Sequence, residues 1–146
     1  MRHLLAAALA LSAILNPPAA MAKPDTSPGA TLTITFHGVE TRTGSVMIAL
    51  YDAAGWTGGK PIRVAMADAA AAAPSVSIAD LPPGRYGIKA FHDVDGDGKM
   101  GTNPFGMPTE PFAFSNDAKG NRGPASWDAA SFEVVAPGGS QGITIR

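Results

Sequence analysis

Residues 81–93 read LPPGRYGIKAFHD and predict a turn that leads into a β-strand. Pro83 holds its own φ near about −65°. Gly84 accepts a positive φ, and together the two residues favour a type II turn. After the turn, apolar residues occupy every second position from Tyr86 to Ala90, and Lys89 lies between two of them. This alternation is typical of a strand that buries one face and exposes the other.

The same two-residue period recurs along the chain between glycines and prolines. Seven short strands without a helical period predict an all-β fold, an antiparallel β-sandwich. The second strand is apolar at every position, which is typical of a central strand. The strands are predicted at Leu32–Phe36, Val46–Tyr51, Ile62–Met66, Val76–Ile78, Tyr86–Ala90, Phe132–Val134 and Ile143–Ile145. The side chains expected in the core are Leu32, Ile34, Val46, Ile48, Leu50, Val64, Ile78, Tyr86, Ile88, Phe132, Val134 and Ile143.

Three segments lack a strand pattern. Residues 53–60 contain glycines around Trp56, and residues 102–126 are rich in Gly, Pro and Asn, so both are predicted loops. We call residues 102–126 the long loop. A structureless segment of this length is usually functional in a compact domain. Residues 69–73 are all alanine, too short for an independent helix, and predict a surface crossover.

The first residues predict export. Arg2 precedes an apolar run at Leu4–Leu15, and Ala20–Ala22 fits the small-x-small rule for signal-peptide cleavage. The run of about 12 residues is shorter than the roughly 20 needed to span a bilayer, although an uncleaved anchor is the alternative. We therefore expect a signal peptide at 1–22, a flexible lead-in at 23–30 and one domain at 31–146, periplasmic or secreted. No later segment is long and apolar enough to cross a membrane.

Composition excludes several classes of function. Without residues 1–22, about 124 residues remain, with 10 basic and 12 acidic side chains and a net charge of −2. This balance argues against nucleic acid or an anionic membrane as the partner. The chain has no cysteine, so it forms no disulfide. With only His37 and His92 as remaining imidazoles, a structural zinc site is not expected.

Residues 92–101 read HDVDGDGKMG and carry the most specific chemical signal in the chain. Asp93, Asp95 and Asp97 occupy alternate positions, and their charges repel one another unless a cation neutralises them. Glycines at 96 and 98 permit the tight, positive-φ backbone that turns the three carboxylates toward one point. The D-x-D-x-D-G pattern is used for Ca²⁺, which takes six to eight oxygen ligands at about 2.3–2.6 Å. An acidic, solvated turn without an ion is the alternative.

The rest of an EF-hand is missing. Its twelfth loop position carries a bidentate glutamate, and here that position is Pro104. The further candidate oxygens are the Lys99 carbonyl, Asn103 and Glu110. With few charged ligands, we expect a weak calcium site, with a Kd of about 10⁻⁴–10⁻³ M.

Several of these motifs resemble a known family. The turn at Leu81–Tyr86 is similar to one in transthyretin-like and prealbumin-like β-sandwiches. The segments HDVDGDG at 92–98, NPFGMPTE at 103–110 and FAFSN at 112–116 resemble domain of unknown function 2141, an uncharacterised bacterial exported family. The likeness covers nearly all of the chain after residue 22 and implies a fold but no activity. Relatives carry Asp where this chain has Gly101, which removes one possible oxygen ligand; the aspartates at 95 and 97, where relatives often carry Asn, partly offset that loss.

His92 raises the question of catalysis. It follows Tyr86 and Ala90 in the same alternation, so we expect a structural histidine at the rim of the core. The alternative is a small extracytoplasmic hydrolase that uses His92 and the acidic loop, with Ser45 or Ser115 as nucleophile. No G-x-S-x-G motif accompanies these residues, and we do not expect an enzyme.

Five aromatic residues lie in or beside the predicted loops, and they suggest two roles. They either pack as a second core under the long loop, or form an exposed platform for a ligand beside the aspartates at 93–97. They are Trp56, Phe105, Phe112, Phe114 and Trp127. The prediction from sequence is an exported, non-catalytic binding or structural module, whose unknown extracytoplasmic ligand is a carbohydrate or a protein.

Overall fold

The computed structural model describes residues 29–146, so the predicted signal peptide and most of the predicted lead-in lie outside the described residues. Eight strands and two one-turn helices make up this part of the chain. The strands are β1 Ala30–His37, β2 Ser45–Tyr51, β3 Arg63–Asp68, β4 Ser75–Leu81, β5 Gly84–Asp93, β6 Phe112–Phe114, β7 Phe132–Val134 and β8 Gly138–Thr144. The helices are α1 Ala53–Trp56 and α2 Trp127–Ala130.

Two sheets enclose the main core. The smaller sheet has the order β4-β1-β8, and the larger has the order β3-β2-β5-β6, with β7 paired to the start of β5. The prediction of an all-β fold is confirmed. Two details are wrong: the described residues form eight strands rather than seven, and β1 pairs with β8 in parallel, from Thr31 opposite Gly138 to His37 opposite Thr144.

The predicted alternation places most core residues correctly. In β1, β2 and β5 the predicted side chains are buried, and Val134 and Ile143 complete the same cluster. Phe132 is only partly buried against it. The prediction that Val64 lies in the core is wrong, because 73% of its surface is exposed. Ala65 and Ala67 of β3 face the core instead, so β3 has the opposite phase from the one predicted.

The turn at 81–84 carries the chain between the two sheets. β4 belongs to the smaller sheet and β5 to the larger, with only Pro82 and Pro83 between them. Gly84 does not adopt a positive φ, so the predicted type II turn is wrong; Asp80 has a positive φ of 55° instead. The Tyr86 hydroxyl donates a hydrogen bond to the Pro82 carbonyl at 2.6 Å and holds the start of β5 against the turn.

Both predicted loops contain some regular structure. Residues 53–60 begin with α1, capped by Asp52, whose carboxylate accepts a hydrogen bond from the Gly55 N–H at 2.7 Å. Residues 102–126 contain β6, which pairs with β5, and a 3-10 turn at Ser115–Asp117. Residues 69–73 form a turn, as predicted, and the segment is not helical. Within residues 29–146 there is no helix with the length and hydropathy needed to cross a bilayer.

Candidate functional site

The larger sheet turns an apolar face away from the core, and we call it the outer face. Strand register aligns its side chains in two rows across β3, β2, β5 and β6. The first row is Met66, Met47, Phe91 and Phe112, and the second is Val64, Ala49, Lys89 and Phe114. Antiparallel sheets usually present polar side chains on a face that meets water. Here Val64 is 73% exposed and Met66 62% exposed.

One end of the outer face is covered by Trp56. Its ring lies over Gly87, where an added Cβ would come within 2.8 Å of the ring. The indole Nε1 donates a hydrogen bond to the Ala125 carbonyl at 2.9 Å, which ties α1 to the long loop. The ring also makes edge contacts, with centroid distances of 5.9 Å to Tyr51, 6.1 Å to Phe114 and 5.7 Å to Trp127.

The five aromatic residues divide into a buried group and an exposed pair. Trp56 and Phe114 are buried in a second small core, with Trp127 packed against it. Phe105 is 87% exposed and Phe112 is 37% exposed, so solvent reaches these two rings. Phe105 lies in the segment that follows residues 93–98, which we call the acidic turn. Phe112 is the first residue of β6.

Lys89 is the only charged residue in the two rows. Its Nζ donates a hydrogen bond to the Trp56 carbonyl at 2.7 Å. The same atom lies 4.6 Å from the ring centroids of both Tyr51 and Trp56, within the range of a cation–π contact. Burial lowers the pKa of Lys89 from its ordinary value, because the ammonium group has lost part of its hydration.

Two open cavities flank Lys89. One, of about 450 Å³, lies over β3, β2 and β5 and is lined by residues that include Met47, Met66 and Phe91. The other, of about 780 Å³, lies between β5, β6 and the long loop, and its lining includes Met100, Phe105, Met107 and Arg122. Both volumes fall within the roughly 300–1,000 Å³ typical of ligand sites. All four methionines of residues 29–146 line one or the other cavity.

The three aspartates of the acidic turn come together as predicted. One carboxylate oxygen from each of Asp93, Asp95 and Asp97 lies within 4.8 Å of the others. Gly96 and Gly98 have φ of 77° and 75°, the conformation expected of them. Asp93 is 3% exposed, and its two oxygens accept hydrogen bonds from the N–H groups of Gly96, Asp97 and Gly98 at 2.9–3.1 Å. The turn is thus built around Asp93, and the other two carboxylates are exposed.

The remaining candidate ligands have other contacts. Glu110 accepts hydrogen bonds from the Val94 N–H at 2.9 Å and the Gly101 N–H at 2.8 Å, so its carboxylate joins the two ends of the acidic turn. Asn103 accepts from the N–H groups of Phe105 and Met107 at 2.9 and 3.0 Å. Lys99 donates its backbone N–H to Asp97 at 2.7 Å. The sequence alone did not show that Glu110 joins Val94 to Gly101, because both partners are backbone N–H groups.

Two residues of the hydrolase alternative, His92 and Ser115, are buried and hydrogen-bonded, whereas Ser45 is partly exposed. His92 is 1% exposed, and its Nε2 donates to the Thr43 carbonyl at 2.7 Å, since a carbonyl oxygen only accepts. Ser115 is fully buried; it accepts from the Ile88 N–H at 2.9 Å and donates to the Ala130 carbonyl at 2.5 Å. The structure thus places His92 at the rim of the core, as expected. Ser115 links β5 to the end of α2, a contact that the neighbouring residues in the sequence do not indicate.

Sequence reasoning did not identify the outer face. Its signal was the Val46–Tyr51 strand, which is apolar at every position and was interpreted as a central strand, the position it occupies between β3 and β5. The structure covers one side and leaves Met47 and Ala49 of the other facing a cavity.

Comparison with known proteins supports the resemblance found in the motifs. A family model described as "Uncharacterized protein conserved in bacteria (DUF2141)" matches residues 34–141, a range that contains the outer face, the acidic turn and the long loop. No curated protein and no solved structure matches the chain. The chain therefore belongs to DUF2141, a family of uncharacterised proteins conserved in bacteria.

Proposed function

We propose that the protein is an exported, non-catalytic binding module with a transthyretin- or prealbumin-like β-sandwich fold, and that its ligand binds on the outer face. The observation that carries the proposal is the exposure of Val64 and Met66, at 73% and 62%, in two rows that are apolar except for Lys89. Contiguous apolar surface of this kind marks interaction sites in soluble proteins. Export to the periplasm or medium is supported by the residue pattern at 1–22, and the fold type by the turn at 81–86.

The composition of the outer face suits a bound apolar group. Each apolar Å² removed from water contributes about 25 cal/mol, so covering the two rows would be a substantial source of affinity. Methionine side chains are flexible and polarizable and adapt to the shape of a ligand. Met47, Met66, Met100 and Met107 are distributed over both cavities.

A neutral apolar probe tests this proposal. We expect decan-1-ol to shift the ¹³C-methyl NMR signals of methionine in the protein without residues 1–22, where all four methionines line the cavities. The reason is that each methyl group lies on the surface that the alkyl chain would cover. Isoleucine δ1 methyl groups of the core, such as those of Ile34 and Ile143, serve as internal controls and should not move.

A substitution adds a second control. Met66→Gln keeps the length of the side chain but makes the first row polar, and it should weaken decan-1-ol binding without lowering the melting temperature, because Met66 is exposed. Unchanged methionine signals up to saturation with decan-1-ol would contradict the proposed site. So would shifts confined to the isoleucines.

The absence of catalysis is proposed from the state of the candidate groups. The imidazole of His92 and the hydroxyl of Ser115 are both buried and hydrogen-bonded to backbone groups. Both oxygens of Asp93 accept backbone N–H groups. A general base and nucleophile must lie within hydrogen-bond reach of each other and of a substrate. These contacts direct the groups to the backbone, which favours a structural role.

We further propose a weak Ca²⁺ site at Asp93, Asp95 and Asp97, supported by their convergence within 4.8 Å. Calcium should raise the melting temperature because it relieves repulsion between the carboxylates. Binding stabilises the folded state by RT ln(1 + [L]/Kd), about 0.4 kcal/mol when the Ca²⁺ concentration equals Kd and about 1.4 kcal/mol at a tenfold excess over Kd. Differential scanning calorimetry with millimolar Ca²⁺ against a chelator measures the effect, and several degrees are expected.

Variants of Asp95 test whether ion binding at the aspartates causes the shift in melting temperature. Asp95→Asn should reduce the calcium shift and Asp95→Ala should nearly remove it, while Mg²⁺ should act less than Ca²⁺ because it demands strict octahedral geometry. Coincident melting temperatures with Ca²⁺ and chelator would mean that the turn is only acidic.

A further inference from the structure

The two cavities of the outer face carry positive charge and no negative charge. Lys89 is the only charged residue lining the smaller cavity, and Lys89 and Arg122 are the only ones lining the larger. No aspartate or glutamate lines either of them. A ligand that fits the apolar walls and also complements this charge carries one anionic group on an apolar body.

Lys89 is placed to receive that anionic group. An ammonium group has three N–H donors, and the Trp56 carbonyl accepts one of them. Among residues 29–146 the ion pair found is Arg146 with Asp117, so Lys89 has no carboxylate partner there. Burial lowers its pKa, which means that the charge has lost part of its hydration and gains from a counter-charge.

We propose that the ligand of the outer face is an amphipathic anion of the fatty-acid class, a free linear alkyl carboxylate. Its carboxylate pairs with Lys89, and its chain lies along the methionine-lined rows. This inference rests on the proposed function, because it names the ligand of the same surface.

The shape of the surface favours a flexible chain. The rows cross four strands, three spacings of about 4.8 Å each, so they extend over about 14 Å. Methionine at four places along it provides walls that adjust to an alkyl chain. The long loop, with Phe105 and Arg122, bounds the surface on the other side of Lys89.

Three probes with the same chain length and different head groups test the inference. Decanoate, decan-1-ol and decyltrimethylammonium are titrated below their micelle concentrations, with the methionine methyl signals as readout. We expect decanoate to bind at least about tenfold more tightly than decan-1-ol, since a charge-assisted hydrogen bond contributes more than a neutral one. The cationic probe should bind more weakly than either.

Variants of Lys89 identify the charge responsible. Lys89→Met keeps the apolar stem and should remove the preference for decanoate over decan-1-ol. Lys89→Arg should retain the preference for decanoate. Lys60→Met is the matched control, because Lys60 is exposed and lines neither cavity, and it should change nothing. If Lys89→Met fails to fold, the three probes on the unaltered protein still decide the question.

The outcomes separate this inference from the proposed function. Equal affinities for decanoate and decan-1-ol, with no effect of Lys89→Met, would overturn the inference and leave the binding face standing. Failure of all three probes to move the methionine signals would overturn both. A concentration-dependent dimer that Val64→Lys converts to monomer would assign the outer face to a second copy of the chain and overturn the ligand assignment.

Discussion

Replacing Trp56 with alanine should lower the free energy of unfolding by about 3–5 kcal/mol, the usual cost of removing a large buried aromatic side chain. Trp56 is 4% exposed and joins elements that are far apart in the chain. Its ring packs on Gly87 of β5 and against Phe114, and its Nε1 donates a hydrogen bond to the Ala125 carbonyl. Removing it leaves a cavity between the outer face and the long loop.

Urea unfolding followed by far-ultraviolet circular dichroism measures the loss, with Trp56→Phe as the matched control. The phenylalanine keeps an aromatic ring at this position but loses the hydrogen bond to Ala125 and part of the indole volume over Gly87, so it should cost about 1–3 kcal/mol. Equal losses in the two variants would mean that the remaining phenyl ring contributes no packing stability.

Replacing Gly44 with alanine should cost about 2–5 kcal/mol. Gly44 has φ of +72°, and an added Cβ would lie 1.9 Å from the Asp93 carbonyl oxygen. A left-handed backbone costs a side-chain-bearing residue about 1–2 kcal/mol. Overpacking against a backbone atom adds a further 1–3 kcal/mol. Because Gly44 lies directly beside the end of β5, the same substitution should also displace the acidic turn.

Gly58 separates these two contributions. It has φ of +85° and no atom within 4 Å of an added Cβ, so Gly58→Ala carries the conformational cost without the collision. We expect about 1–2 kcal/mol for Gly58→Ala, measured in the same urea series. If Gly44→Ala costs no more than Gly58→Ala, then the close approach of Gly44 to Asp93 has no energetic consequence.

Alternation predicted the core well where only one phase of a strand was apolar. In β1, threonines separate Leu32, Ile34 and Phe36, so one assignment of faces was possible and it is the observed one. In β3 both phases contain apolar residues. The larger side chains, such as Val64, were assigned to the core, whereas the structure buries the small Ala65 and Ala67 there. The error arose because the outer face is itself apolar.

Other features depend on pairing between distant residues, which a local pattern does not encode. β6 has three residues and lies just after Pro111, so it carried no recognisable period; its strand geometry comes from pairing with Lys89–Phe91. In the candidate site, the spacing of the three aspartates predicted their convergence. The contacts of Glu110 and Ser115 were not predictable, because their partners are backbone groups 9–27 residues away.

The parallel pairing of β1 with β8 has a consequence for how the chain reaches its folded state. During synthesis β1 is made early, yet one of its two neighbours is the last strand, at residues 138–144. Until then the smaller sheet is a two-stranded ribbon, which is marginally stable in water. Contacts of such long sequence separation also form slowly. Completion of the two-sheet fold therefore awaits β8, the last strand of the described residues to be made.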